Sequence, residues 1–444
     1  NGSGYGGAID PEEHLSKLSK GRKPNELRSL APMIKLPGIK WLAGGLPSPL
    51  NFPITSISFT LSSGQTVVID DPKLISESQQ YCLDSYGPTR LRHWVEKHVK
   101  QQHDPPNQEW AVCMTCGNSD AIDKVMELLL GPGDAVLVEE VNFIAASCYL
   151  ATLPLKGIEV VGMTVSSRGL TADEVERSYL AAAAKGRAPK ALYTIPTGQN
   201  PTGISIDLEE KRKIYRLAQK YNLIIIEDDA YYYLQFPAAQ TCSEWALEDM
   251  PGLSKLGPSF LSMDTDCRVV RMDTASKFIG PGFRTGWLVG HKRFMERVAQ
   301  HAMVSSQGVS SMSGIMIEKM LEAWGHEGFE QHIRVLQLNY CRRAELICRA
   351  LEDHMGHEFA EWSSPTCGMF IYVKVKGLQD TRVLLDRCYK EVVAVAPGSF
   401  FSVTKGHSPC VRMAYSTATE EDIIEGVKRF ARVVREFKAS EAEC

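Results

Sequence analysis

Residues 273–286 read DTASKFIGPGFRTG. Lys277 follows a strand-like run at 269–274, has Ser276 immediately before it, and has Arg284 seven positions on in a Gly-rich bend. These residue types at this spacing suit an amine that forms a Schiff base with an aldehyde cofactor, while the serine hydroxyl and the guanidinium hold that cofactor's phosphate. Pyridoxal phosphate (PLP) is such a group, and an enzyme built on it also needs a carboxylate or similar partner for the pyridine nitrogen.

Ligands of open α/β sheets sit outside the carboxyl ends of the strands, so the residues just past each strand-like run matter most. The run at 111–115 leads into Gly117, Asn118, Ser119 and Asp120, a turn opening a helix over 118–130. Backbone N–H groups and the helix dipole there make a phosphate site; plain helix capping by Asn118 or Ser119 explains the same residues. The run at 191–195 ends in PTGQNPTG (196–203), a rigid irregular turn that can aim the Asn200 amide at a cofactor oxygen. The run at 223–226 ends in Glu227, Asp228, Asp229, Ala230 and Tyr231. Acidic residues at the end of a buried strand are costly unless paired. A carboxylate such as Asp228 beside a pyridine nitrogen keeps that nitrogen protonated, and Tyr231 can donate to the ring's phenolic oxygen. Phe143 can stack on a ring face or serve as core. Arg412, flanked by Val411 and Met413 in a strand-like run, needs a partner: a structural ion pair, or a substrate carboxylate for its planar fork.

The elements that must position these residues are set by the hydrophobic pattern. Apolar runs at 111–115, 135–138, 191–195, 223–226, 269–272 and 287–289 alternate with helical patterns such as 208–221, which predicts a mainly parallel sheet covered on both faces. After about residue 325 the character shifts to long helices and strands at 369–373, 392–395 and 411–415. The closing helix starts near Thr419, with Asp422 completing a capping box and Ile423, Ile424, Val427, Phe430, Ala431 and Val434 forming its apolar face. This second part reads as a smaller α+β domain. The pattern places an N-terminal arm at 1–40, a portion of the small domain at 41–74, a large domain at 75–325 and the small C-terminal domain at 326–444.

With 444 residues, 44% of them hydrophobic and 23% charged, the chain has the composition of an ordinary globular protein. A net charge of -4 without a basic block points away from nucleic acid and membrane surfaces, and no apolar run reaches the ~18 residues of a membrane span. The twelve cysteines show no disulfide framework, which suits a reducing compartment, the cytoplasm. Cys113 and Cys116 form a lone C-x-x-C without a second pair, and no metal site is expected. The chain begins with Asn1 rather than Met, which leaves room for a removed organelle-targeting segment.

Taken together, the chain resembles the fold-type I PLP-dependent aminotransferases over nearly its whole length, and within them the kynurenine/2-aminoadipate and fungal aromatic branch. The resemblance is carried by LAGGLP (42–47), PTGQNPTG (196–203), IEDDAYYYLQF (226–236), FLSMD (260–264), the Lys277 segment, and by 365–370 and 396–398. It implies an α/β fold with a mainly parallel seven-stranded sheet, and a homodimer with shared active sites. It further implies that Lys277 carries the cofactor and shuttles a proton, that Asp228 pairs with the pyridinium, and that Asn200 and Tyr231 bond the phenolic oxygen. Ser276, Arg284, Asn118 and Ser119 hold the phosphate in this comparison, and Phe143 stacks on the ring. Arg412 grips the substrate α-carboxylate and Gly45 lies beside the substrate. Tyr86 reaches the partner's site, and Arg28 approaches a distal carboxylate. The chain departs from the family at Asn118 and Ser119, where Ser-Gln is usual, at Phe143, where Tyr is common, and after Tyr86, where one Gly is lacking.

The implied activity is a ping-pong transamination from an aromatic, 2-aminoadipate- or kynurenine-type L-amino acid to 2-oxoglutarate. Two other readings stand beside it: a C–S lyase or cyclopropane-forming synthase on the same scaffold, and the aminotransferase-like domain of a transcription regulator. The second lacks room for a basic winged helix, since only about forty residues precede Leu42.

Overall fold

The structure is a computed structural model. It describes residues 8–442 apart from 25, 31, 32, 34, 35, 41, 239–241 and 243; the side chains of Arg28, Ser29 and Ala442 lie outside that description. Strands β1 (Ile57–Thr60) and β2 (Thr66–Ile69) form an antiparallel hairpin. Seven more strands come next: β3 (Trp110–Thr115), β4 (Ala135–Glu139), β5 (Glu159–Met163), β6 (Pro189–Thr194), β7 (Ile224–Asp228), β8 (Val269–Thr274) and β9 (Gly286–His291). They make one sheet in the order β3-β9-β8-β7-β6-β4-β5. Strand β9 is antiparallel to β3 and β8, whereas β7 with β8, β4 with β6, and β4 with β5 are parallel.

The expected mainly parallel, seven-stranded sheet is therefore present, and its sequence signal has a physical origin. Every residue of β4, β7 and β8 is buried, so these strands are covered on both faces and read as continuous apolar runs. Strand β5 gives a weaker signal because it ends the sheet and is mostly half-buried. Its sequence, EVVGM, mixes a charge and a glycine into a short run.

The chain divides into two compact units. The first comprises Asn1–Gly131, Ile224–Ala230 and Pro258–Glu330, the second Pro132–Leu223, Tyr231–Gly257 and Gln331–Cys444. Within the second, β10 (Ala360–Trp362), β11 (Phe370–Val375), β12 (Ala396–Pro397) and β13 (Cys410–Ala414) form an antiparallel sheet in the order β10-β11-β13-β12. Its inner face, with Ile371, Val373, Val411 and Met413, packs with Ile347 and Leu351 and with Ile423, Val427, Phe430 and Val434 of the helix Glu420–Ala442. That helix opens as expected, the Asp422 N–H donating to Thr419 Oγ1 at 3.1 Å.

Two local expectations fail. Ile424 is 41% exposed, because one residue past Ile423 is a ~100° rotation off the buried stripe. Residues 392–395 form no strand. Val392 has φ of +52°, and the Val393 N–H bonds back to Cys388 O at 3.0 Å, closing the short helix Leu385–Lys390. Such a helix stop outweighs the β-propensity of valine.

The cysteines also resolve. Cys242 and Cys341 are joined as a disulfide, a pairing across 99 residues that spacing does not reveal, and the other nine described cysteines are free. Burial pushes the Cys113 thiol up to about 12 and raises Cys116 as well. Both thiols resist becoming the thiolate that redox or metal chemistry requires.

Candidate active site

In the first unit, the Lys277 bend is built by short-range bonds. At the end of β8, Thr274 Oγ1 accepts from the Ser276 N–H at 3.2 Å and donates to Ser276 Oγ at 2.8 Å, fixing the turn Ala275–Lys277. Lys277 itself is half-buried. Arg284 adopts a left-handed backbone (φ 49°, ψ 47°), and its guanidinium donates to Cys116 O at 2.7 Å and Pro281 O at 3.0 Å. From there Nη1 lies 3.5 Å from Ser276 Oγ.

The floor under that guanidinium must be glycine. A Cβ on Gly117, whose φ is +92°, would stand 2.7 Å from Arg284 Nη2, and one on Gly286 would stand 2.9 Å from Gly117 Cα. Gly117 precedes the helix Asn118–Leu129, which has no side-chain cap. A helix N-terminus left uncapped, a hydroxyl and an arginine beside a surface without side chains make a cradle for a phosphate-sized anion.

The acidic run after β7 divides by the two-residue period of a strand. Glu227 and Asp229 both reach the guanidinium of Arg271 in β8, at 3.2 and 2.7 Å, and Asp273 grips it from the same strand with two bonds of 2.8 Å. The cluster is wholly buried. Arg271 is held well above its usual value by these carboxylates against the cost of burial, and burial raises Asp273. Asp228, between Glu227 and Asp229, accepts from Asn118 Nδ2 at 2.6 Å. Asn118 Oδ1 is buried with no hydrogen-bond partner. The Asn118 side chain is thus turned to Asp228.

In the second unit, the loop after β6 carries Asn200. Its Nδ2 lies 3.4 Å from the Tyr231 hydroxyl, and its Oδ1 accepts from Arg412 Nη1 at 3.0 Å. Tyr231 is nearly buried and meets Phe370 edge to face. The Arg412 guanidinium lies over two rings, 4.4 Å from the centre of Phe370 and 4.7 Å from that of Phe401. Its Nε is buried without a hydrogen-bond partner, and burial lowers its pKa. No carboxylate forms an ion pair with it among the described residues. A cation in such surroundings suits a carboxylate.

The structure thus joins Ser276 with Arg284, Asn118 with Asp228, and Asn200 with Tyr231 and Arg412. Ser119 is exposed in the first turn of its helix, and Phe143 is half-buried at the start of the helix Phe143–Ala146. Gly45 lies in an exposed stretch where a Cβ would meet nothing. Tyr86 is half-buried, 5.9 Å under the Arg92 guanidinium, with burial pushing its hydroxyl up to about 12. The Arg28 side chain lies outside the described residues. Sequence reasoning misses Thr274, Arg271, Phe370 and Phe401. The spacing of Arg271 and Asp273, two apart in a buried strand beside an acidic run, is the signal that could have revealed the ion cluster.

The chain matches the family "Aminotransferase class I and II" over residues 64–430. It is 33% identical to the mitochondrial kynurenine/alpha-aminoadipate aminotransferase of Bos taurus, over 95% of this chain and 98% of that one. With an aromatic amino acid aminotransferase of Schizosaccharomyces pombe the identity is 30%, over 96% and 98%. The crystal structure of the aromatic aminotransferase Aro9 from C. albicans superposes with a TM-score of 0.86 at 30% identity, covering 98% of this chain and 99% of that one. These relatives favour transamination over the lyase, synthase and regulator readings. The chain belongs to the class I and II aminotransferases.

Proposed function

We propose that this aminotransferase uses pyridoxal 5′-phosphate to move the amino group of an aromatic, 2-aminoadipate- or kynurenine-type L-amino acid to 2-oxoglutarate. The reading rests on family membership, on the substrates in the relatives' names, and above all on one observation: Arg412 lies over two phenylalanine rings with a buried, unbonded Nε and no carboxylate partner among the described residues. A substrate α-carboxylate supplies what it lacks.

The residues present fit the cofactor. Ser276, Arg284 and the N-terminus of the helix Asn118–Leu129 suit its phosphate, and Asp228, aimed by Asn118, suits its ring nitrogen. When bound, the cofactor supplies the carbonyl that exchanges for an amine and a ring that withdraws electrons from the substrate α-carbon. With the cofactor bound, Lys277 Nζ would take the substrate α-proton and carry it for the return transfer. Asp228 holds a proton on the ring nitrogen by its charge. Asn200 and Tyr231 donate to the phenolic oxygen, Phe143 covers a ring face, and Gly45 and Ser119 border the site.

An exposed apolar stretch supports a homodimer in which Tyr86 serves the partner's site. Within 42–54, Leu42 is 95% exposed and Leu50 94%, and apolar side chains so exposed are ones a second copy would cover. Among the described residues no helix is long and apolar enough to cross a membrane. The cytoplasm stays the proposed compartment because nine described cysteines are free against the one pair joined as Cys242–Cys341.

The test is spectral. The PLP-loaded protein given an amino acid alone should accumulate pyridoxamine phosphate and one equivalent of 2-oxo acid, and added 2-oxoglutarate should restore the starting spectrum. A panel of amino donors then ranks the substrates. Release of ammonia and pyruvate with the spectrum unchanged would instead identify a lyase.

A further inference from the structure

We propose that Glu139 is a positioning residue for this site, acting through Gln199 to fix Asn200; the proposal rests on the reading that Asn200 serves the cofactor. Glu139 ends β4, whose other four residues are the apolar Ala135, Val136, Leu137 and Val138, all fully buried. A carboxyl group at such a position is costly to bury. Both its oxygens accept hydrogen bonds: Oε1 from Thr194 Oγ1 at 2.7 Å and Oε2 from Gln199 Nε2 at 2.9 Å.

Gln199 distributes that anchorage through the loop. Its Nε2 also donates to Val141 O, and its Oε1 accepts from the Thr202 N–H at 3.0 Å and the Thr202 hydroxyl at 2.7 Å. Its backbone N–H donates to Ile204 O at 2.9 Å, and its carbonyl accepts from the Gly203 N–H at 2.6 Å. Every polar group of Gln199 is therefore engaged, and Asn200 is its neighbour in the chain.

The loop is blocked on another side. A Cβ on Gly198 would lie 2.7 Å from Cys367 Sγ, and one on Gly203 would lie 2.5 Å from Phe370 O. Contact fixes the loop there, and the Glu139 bonds fix it from β4. The consequence falls on a single amide, because Asn200 meets Tyr231 through Nδ2 and Arg412 through Oδ1. A shift of Asn200 disturbs the proposed cofactor contact and the carboxylate clamp together.

The experiment compares Glu139→Gln, Asn200→Ala and the double variant, with Gln199→Met as a second route to the same bond should Glu139→Gln not fold. Glu139→Gln keeps the shape but presents an amide N–H₂ to a Thr hydroxyl or to the Gln199 amide. Cofactor affinity is read by titrating the apoprotein, the bound-cofactor absorbance is followed against pH, and kcat and KM are measured for one amino acid. The clamp predicts a shifted absorbance profile and a loss of about 10²-fold in kcat/KM, the scale of a 1 Å misplacement. In the Asn200→Ala background, Glu139→Gln or Gln199→Met should then add less than about twofold. Exchanging the partners, Glu139→Gln with Gln199→Glu, should recover part of the affinity. If either clamp variant costs the same factor with and without Asn200, the clamp is wrong and the site stands. If Asn200→Ala itself leaves affinity, spectrum and turnover unchanged, the reading of Asn200 falls instead, and the proposal with it.

Discussion

Replacing Arg412 by leucine removes the cation proposed to bind the substrate carboxylate. The cost of desolvating the guanidinium is met when the protein folds, since it already lies over the Phe370 and Phe401 rings with its Nε buried. An arriving α-carboxylate gains two charge-assisted hydrogen bonds at about 1.5–3 kcal/mol each. Losing both should cost about 3–6 kcal/mol, or roughly 10²- to 10⁴-fold in kcat/KM. Arg412→Lys should fall between the two, because an ammonium keeps the charge but not the fork. The assay pairs an amino acid donor with the amine that lacks its carboxylate, at matched side chains. Wild type should discriminate strongly between them and Arg412→Leu hardly at all, with cofactor affinity preserved. Equal losses on both donors would show that Arg412 supports the fold rather than the substrate, and the reasoning would fail.

The first unit yields three further expected outcomes. Asn118→Ala removes the 2.6 Å bond to Asp228 and should weaken cofactor binding about tenfold, the worth of one hydrogen bond to a charged group; unchanged affinity in a fluorescence titration would show that Asn118 does not orient that carboxylate. Arg271→Met leaves Glu227, Asp229 and Asp273 buried without their cation and should lower unfolding free energy by about 3–5 kcal/mol in urea. A loss under about 1 kcal/mol would mean the cluster tolerates its own repulsion. His98, stacked on Trp94 at 5.0 Å, is held down to about 4 by burial and by Arg271. The unfolded chain binds that proton near 6.5 and the folded one only near 4, so stability is full above about 6.5 and falls by up to roughly 3 kcal/mol as pH drops through that window. Urea titrations of wild type and His98→Gln should differ in slope there, and parallel curves would rule out His98 as the titrating group.

How much the sequence discloses depends on how locally each feature is determined. Lys277, Ser276 and Arg284 lie within one bend and are legible together. Strands β4, β6, β7 and β8 announce themselves because burial leaves apolar runs. Asp228, Asn200 and Arg412 stand out for the cost of burying polar groups in or at the ends of strands, and each has a polar partner. Those partners are not legible. Asn118 and Asp228 are 110 residues apart, Asn200 and Arg412 212 apart, and only the tertiary fold joins them. The position of Asn118, opening a helix, suggests a phosphate ligand, and nothing in that position announces the bond to Asp228. The stop at Val392 is hidden because a valine occupies a left-handed turn position where glycine is the usual signal.

The central claim is that Lys277 carries the cofactor. Reducing the PLP-loaded protein with borohydride and mapping its peptides by mass spectrometry tests this without relying on turnover. The expected result is a phosphopyridoxyl increment on the peptide containing Lys277, absent in Lys277→Ala. An increment on another lysine, or an equal one in Lys277→Ala, would contradict the claim.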